Sequence, residues 1–135
     1  MKTLITKLLF FAGAVFILQG CSINNDDNYC FNRAYMAATA VVGPATTQVN
    51  VEVEFMVTFP IVNSCGVFYD FAELNTTFPR RVAAAVDYTG CNCNETTTSV
   101  TKPYKFKASV PGTYILHFLT QNDGSPIIKT IEVTE

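Results

Sequence analysis

Val49-Asn50-Val51-Glu52-Val53-Glu54-Phe55-Met56-Val57-Thr58-Phe59 carries six apolar side chains at every second position. Period two lines them along one face of an extended strand, whereas a helix would scatter them around its circumference. Asn50, Glu52, Glu54, Met56 and Thr58 form a mostly polar second face, so the stretch reads as a half-buried strand. Glu52 and Glu54 imitate a pair of catalytic carboxylates, but the alternation explains them.

The same period recurs on both sides. Arg33 to Val42 is expected as a first strand, closed by Gly43-Pro44. After the turn through Pro60 and Asn63-Ser64-Cys65-Gly66 come Val67 to Ala72, and then Arg81 to Tyr88 through Val82, Ala84, Val86 and Tyr88. Beyond Pro103, Tyr104, Phe106 and Ala108 alternate with Lys105 and Lys107. Tyr114, Leu116 and Phe118 follow the Val110-Pro111-Gly112 turn, and Ile127 to Val133 follows Gln121-Asn122-Asp123-Gly124-Ser125-Pro126. Seven short strands with no helical window predict an all-β antiparallel sandwich over residues 32–135. Abundant Val, Ile, Phe, Tyr and Thr favour the same outcome.

The first thirty residues read differently. Met1 to Lys7 carries Lys2 and Lys7, Leu8 to Leu18 is apolar, and Leu18-Gln19-Gly20-Cys21 closes the run. These are the three parts of a secretory signal, and the apolar run is shorter than the roughly 20 residues that span a bilayer. The closing tetrapeptide resembles the lipobox of bacterial lipoproteins, which implies cleavage before Cys21 and acylation of that cysteine. Several acyl chains, each burying methylenes at about 0.8 kcal/mol apiece, give stable anchoring where one chain binds marginally. Expected partners therefore include the membrane, through lipid on Cys21.

Ser22 to Asn28 is polar and reads, within residues 21–31, as a flexible acidic tether. Asp26-Asp27 beside Asn24-Asn25 resembles the surface-export signal of Bacteroidetes lipoproteins. Ser22 after Cys21 implies onward sorting, so the expected address is the bacterial outer membrane, on its periplasmic or cell-surface face. Cleavage leaves 9 − 2 = 7 basic against 11 acidic side chains, a formal charge of −4. A mildly acidic chain is a poor nucleic-acid binder.

Cys30, Cys65, Cys91 and Cys93 remain once Cys21 is set aside, and an even number in an exported chain predicts two disulfides. In an up-and-down order of seven strands, the N-terminus and the second-to-third, fourth-to-fifth and sixth-to-seventh loops share one end. The four thiols should therefore meet at a single pole, Cys30 and Cys65 each bonding one of Cys91 and Cys93, with the pairing open. A four-thiolate zinc site lacks its usual Cys-x-x-Cys pairs. The nine residues from Cys21 to Cys30 span at most about 30 Å, so this pole should face the membrane. The far end would carry Gly43 to Thr47, Glu73 to Arg80 and Val110 to Thr113, with Leu74, Phe78, Arg80 and Arg81 as candidate contact residues.

Val110-Pro111-Gly112-Thr113-Tyr114-Ile115-Leu116 resembles the tyrosine corner of immunoglobulin-like domains, in which the phenol bonds back across the turn. The departures are Leu116, where antibody domains place their second core cysteine, and the absence of Trp. The resemblance implies a fold and not an activity. His117 is the only histidine, no nucleophile elbow accompanies it, and Lys102, Lys105 and Lys107 read as a solvated face. Asn75-Thr76-Thr77 and Asn94-Glu95-Thr96 match glycosylation sequons that carry no weight in a bacterial lipoprotein. The expectation is a module without catalysis, cofactor or metal that binds a protein or glycan partner or serves as a spacer. An envelope hydrolase acting on carbohydrate or peptide, and a thiol-based redox sensor, are the alternatives.

Overall fold

The computed structural model describes residues 30–121 and 125–135. The leader, Cys21 and the acidic tether up to Tyr29 lie outside the described residues. Nine strands are present among them: β1 (Phe31–Met36), β2 (Ala40–Val42), β3 (Thr46–Gln48), β4 (Val53–Ile61), β5 (Gly66–Glu73), β6 (Arg80–Thr89), β7 (Thr98–Phe106), β8 (Gly112–Phe118) and β9 (Ile127–Thr134). They form two sheets, a small one ordered β2-β4-β7 and a large one ordered β1-β6-β8-β9-β3, in which β5 also pairs with β6.

The expected alternation of β4 is present from Val53 onward, and Phe55, Val57 and Phe59 are buried. Facing them from the large sheet are Val82, Val86, Leu116, Phe118 and Ile131. The Phe55 and Phe118 rings stand 6.1 Å apart, and Tyr104 meets Phe118 edge-on at 5.6 Å. Each fully buried side chain of this size contributes about 1.5–3 kcal/mol relative to exposure.

Several expectations are corrected. The strand expected over Arg33 to Val42 is two strands in different sheets. The chain switches sheets at 37–39, where Ala38 N–H donates to Leu119 C=O and Thr39 N–H to Thr58 C=O. Gly43-Pro44 then leads into β3 and not simply into a turn. Gly43 lies against the Phe55 ring where a Cβ would collide with it. Val49 and Val51 precede β4, because Asn50 takes a left-handed conformation (φ 62°) that ends the extended run.

Finally, the sheets are not purely antiparallel: β3 pairs parallel with β9, and β8 parallel with β6. β8 ends with Phe118 beside Val82, the third residue of β6, and β1 takes the rest of that edge from Ala84 to Thr89. The turn after β8 therefore does not reach the end where β6 finishes, as seven alternating strands required. β7 is also longer than expected, running through the Thr/Ser-rich segment and Pro103; its far edge is unpaired, so a residue without an N–H is tolerated there.

Tyr114 sits near the start of β8, and its hydroxyl donates to Val110 C=O at 2.8 Å. Leu116, two residues on, is fully buried. Tyr114→Phe should keep the ring packing and lose this bond, lowering stability by about 0.5–1.5 kcal/mol. Urea unfolding checks this; an unchanged midpoint would mean that the corner contributes nothing.

Candidate functional site

Three regions carry the residues singled out by sequence. At one end, Cys30 bonds Cys91 and Cys65 bonds Cys93, with Cα separations of 5.1 and 5.5 Å. The adjacent backbone is tied as well. Gly90 N–H donates to Cys30 C=O at 2.8 Å, and Cys65 N–H to Asn63 Oδ1 at 3.0 Å. Ser64 and Asn94 exchange two bonds, Ser64 N–H to the Asn94 carbonyl and Asn94 N–H to Ser64 Oγ. Gly90 has φ 127°, which an L side chain rarely adopts, and an added Cβ would press on Cys65 Sγ. A hollow of about 460 Å³ opens beside this end, lined in part by Ala34, Met36, Val62 and Tyr88.

At the far end, the β5–β6 loop is built on Asn75. Its amide donates to Thr77 C=O and Pro79 C=O, both at 2.9 Å, and its oxygen accepts from Arg81 N–H at 2.6 Å. Phe78 and Arg80, two of the four expected contact residues, are engaged within the molecule. The Phe78 ring lies edge-on to Tyr114 at 4.8 Å under the Arg80 guanidinium, and Arg80 pairs with Glu73 at 3.0 Å. Glu73 also accepts from the Tyr104 hydroxyl at 2.7 Å. Burial, then the Glu73 bond, push that phenol well above its ordinary range. Arg80 Nε is buried without a partner. The other two, Leu74 and Arg81, belong to a different surface.

That surface is the outer face of the large sheet. Val82, Ala84, Val86 and Tyr88 of β6 enter the core, so Arg81, Ala83, Ala85 and Asp87 point outward. Ala83 and Ala85 are nevertheless buried, each 4% exposed. They form a floor between flanking strands whose outward residues are large. Tyr35 of β1 registers with Ala85 from one side, and Tyr69 sits at a bulge opposite the same residue on the other. Tyr35 and Tyr69 are 58% and 59% exposed, and Val67 67%. Ile128 and Leu74 are exposed on the same face. Alternation normally puts polar side chains at such positions, so this surface departs from what a solvated sheet requires.

Arg33 and Asp87 cross the face as a bidentate ion pair, Nε to Oδ1 at 2.5 Å and Nη2 to Oδ2 at 2.7 Å, with the guanidinium stacked 3.6 Å above Tyr69. The Arg33 hydrogen bonds hold the Asp87 carboxyl below the usual carboxylate range against the opposing effect of desolvation, with the Arg33 charge adding to them. His117 registers with Arg81 on one side and Ile128 on the other. Glu52 pairs with Lys105 at 2.9 Å on an exposed surface. Among the described residues, no group of His, Cys, Asp and Glu is placed to hold a metal ion, and no helix is long and apolar enough to cross a membrane.

Of this face, the sequence reading named Leu74 and Arg81 but missed Tyr35, Val67 and Tyr69. Its signal was present: Val82 to Val86 is apolar at both parities, which marks a strand covered on two sides. Compared with protein families, curated proteins and solved structures, the chain matches none.

Two outcomes are expected. Peptide mapping without reduction should recover Cys30 linked to Cys91 and Cys65 linked to Cys93, never the crossed pairs; replacing Cys65 and Cys93 together by Ser should cost about 2–4 kcal/mol in urea unfolding. Because the Asp87 pKa is lowered on folding, what the pair adds to stability is present above the ordinary Asp value near ~3.9 and is lost as pH falls through the depressed one. Carboxyl NMR titration should show Asp87 ionising below that value and returning to it in Arg33→Met; an ordinary Asp87 titration in the native chain would contradict the pair.

Proposed function

We propose that this chain is a cell-envelope lipoprotein, anchored in the outer membrane through acyl chains on Cys21, that presents a small immunoglobulin-like module for non-catalytic binding. The observation that carries the binding reading is the outer face of the large sheet, where Tyr35, Val67 and Tyr69 stand more than half exposed around an alanine floor. A contiguous apolar area on a small domain marks a contact surface. A catalytic reading would need a nucleophile or proton-transfer group set among converging polar side chains. His117 lies on an open sheet between Arg81 and Ile128 and has no such setting.

The immunoglobulin-like assignment rests on a three-stranded sheet packed against a larger one, on the parallel pairing of the early strand β3 with the last strand β9, and on the Tyr114 corner. To the departures in sequence it adds one of topology. The hairpin after β4 is laid down so that its second strand, β6, lies beside β8, making that pairing parallel. The anchoring assignment rests on the leader and on geometry. Cys30 follows Cys21 by nine residues, so the disulfide end is held toward the bilayer and the Asn75 loop away from it.

The test is mass spectrometry of the chain purified from its own membrane, with protease treatment of intact cells. A mature N-terminus at Cys21 bearing fatty acyl mass is expected. Loss of the protein from intact cells under protease would place it on the outer surface, and survival until the outer membrane is breached would place it inside. An unmodified thiol at Cys21, or a retained leader, would contradict the anchor.

A further inference from the structure

The outer face of the large sheet has a composition that selects its partner. At 150–250 Å² per aromatic side chain, Tyr35 and Tyr69 leave roughly 200–300 Å² uncovered, and Val67, Leu74 and Ile128 bring the apolar area to about 500 Å². That falls in the upper part of the roughly 300–600 Å² of a typical monomer's largest apolar patch, which is often functional. With a polar rim it approaches the roughly 800 Å² that each partner contributes to a stable interface. The face is also built of ridges and a trough: the tyrosines stand on β1 and β5, and Ala72, Ala83 and Ala85 lie between or beside them at matching register.

The charges beside the tyrosine ridges sort into two kinds, Glu132 lying farther off on β9. Arg33 and Asp87 neutralise one another. Asp70 and Arg81 have no ion-pair partner among the described residues. Asp70 registers opposite Ala85, and Arg81 lies four residues away along β6. At about 3.3 Å per residue and about 4.8 Å between strands they are roughly 14 Å apart, too far to meet within one chain. One acid and one base, unpaired and offset on a single apolar face, are what a two-fold arrangement uses, because rotation about an axis in the plane of contact lays each over its counterpart in the second copy.

We propose that this face is a homodimer interface, in which two copies pack sheet against sheet and the Asp70 carboxylate of each meets the Arg81 guanidinium of the other. The tyrosine ridges of one copy then lie over the alanine trough of its mate, and the aromatic surface leaves water. The proposal rests on reading the module as a binder and names the partner as a second copy. Anchoring plays no part in it, so an unmodified Cys21 would leave it standing.

The test is sedimentation and light scattering of the full chain in mild detergent, comparing variants in the same detergent at micromolar concentration. A dimeric mass is expected. Asp70→Arg and Arg81→Asp should each raise the dissociation constant about tenfold or more by placing like charges together, and the double variant should restore association. Val42→Glu, on the outer face of the small sheet, should leave the dimer intact. Arg81 is exposed, so Arg81→Asp should melt with the parent. Asp70 Oδ1 accepts from Phe71 N–H at 2.7 Å, so Asp70→Arg should melt somewhat lower, whereas Asp70→Asn keeps an acceptor, loses the charge and should weaken the dimer without moving the melt, which separates a lost contact from a lost fold. A monomer at every concentration overturns the proposal, even if that monomer binds vesicles or glycans through the same face. So does a dimer indifferent to both charge reversals, since association would then run through another surface.

Discussion

The architecture depends on how one strand is shared. β6 pairs along one edge with β5 only, while its other edge is divided, β8 taking Arg80 to Val82 and β1 taking Ala84 to Thr89. Without β1 the buried backbone groups of the second half of β6 would lose their partners, at a cost comparable to a lost hydrogen bond each. β1 is short, and among the described residues its only strand partner is β6. The Cys30–Cys91 bridge, immediately before β1 and just past the end of β6, holds it there. The ridge carrying Arg33 and Tyr35 exists only while that seam is closed.

Much of this was legible in the residues. The β4 alternation identifies the small sheet's central strand because period-two burial has no helical counterpart. The early tyrosine of β8 announces its own hydrogen bond to Val110. The meeting of four cysteines at one end follows from strand parity, and survives the change from seven strands to nine because β1, β2 and β3 all run away from that end, as the single expected first strand did, after which β4 returns, β5 leaves and β6 returns. What was not legible depends on tertiary pairing. Nothing local in Ala37-Ala38-Thr39 says that the chain changes sheets; the switch is dictated by bonds to Leu119 and Thr58, distant in sequence. Three-residue β2 and β3 are too short to show a period, and parallel pairing of β8 with β6 depends on which strand of a hairpin lands inside.

The candidate surface was hidden for a related reason. Tyr35, Val67 and Tyr69 belong to three separate short patterns, each ordinary alone, and only the register across Ala85 gathers them. By contrast Phe78 and Arg80, which looked exposed on a loop, are consumed by Tyr114 and Glu73. Loop position by itself overstated their availability, and strand position understated that of the tyrosines. A rigid sheet face needs no loop ordering on contact.

The most direct measurement is residue-resolved hydrogen exchange on the native chain and on a Cys30→Ser/Cys91→Ser double variant. If the bridge closes the β1–β6 seam, amides of Phe31–Met36 and their partners in Ala84–Thr89 lose protection in the variant while those of β4 and β7 keep theirs. Equal protection of β1 with and without the bridge, or a uniform loss across every strand, would contradict the account.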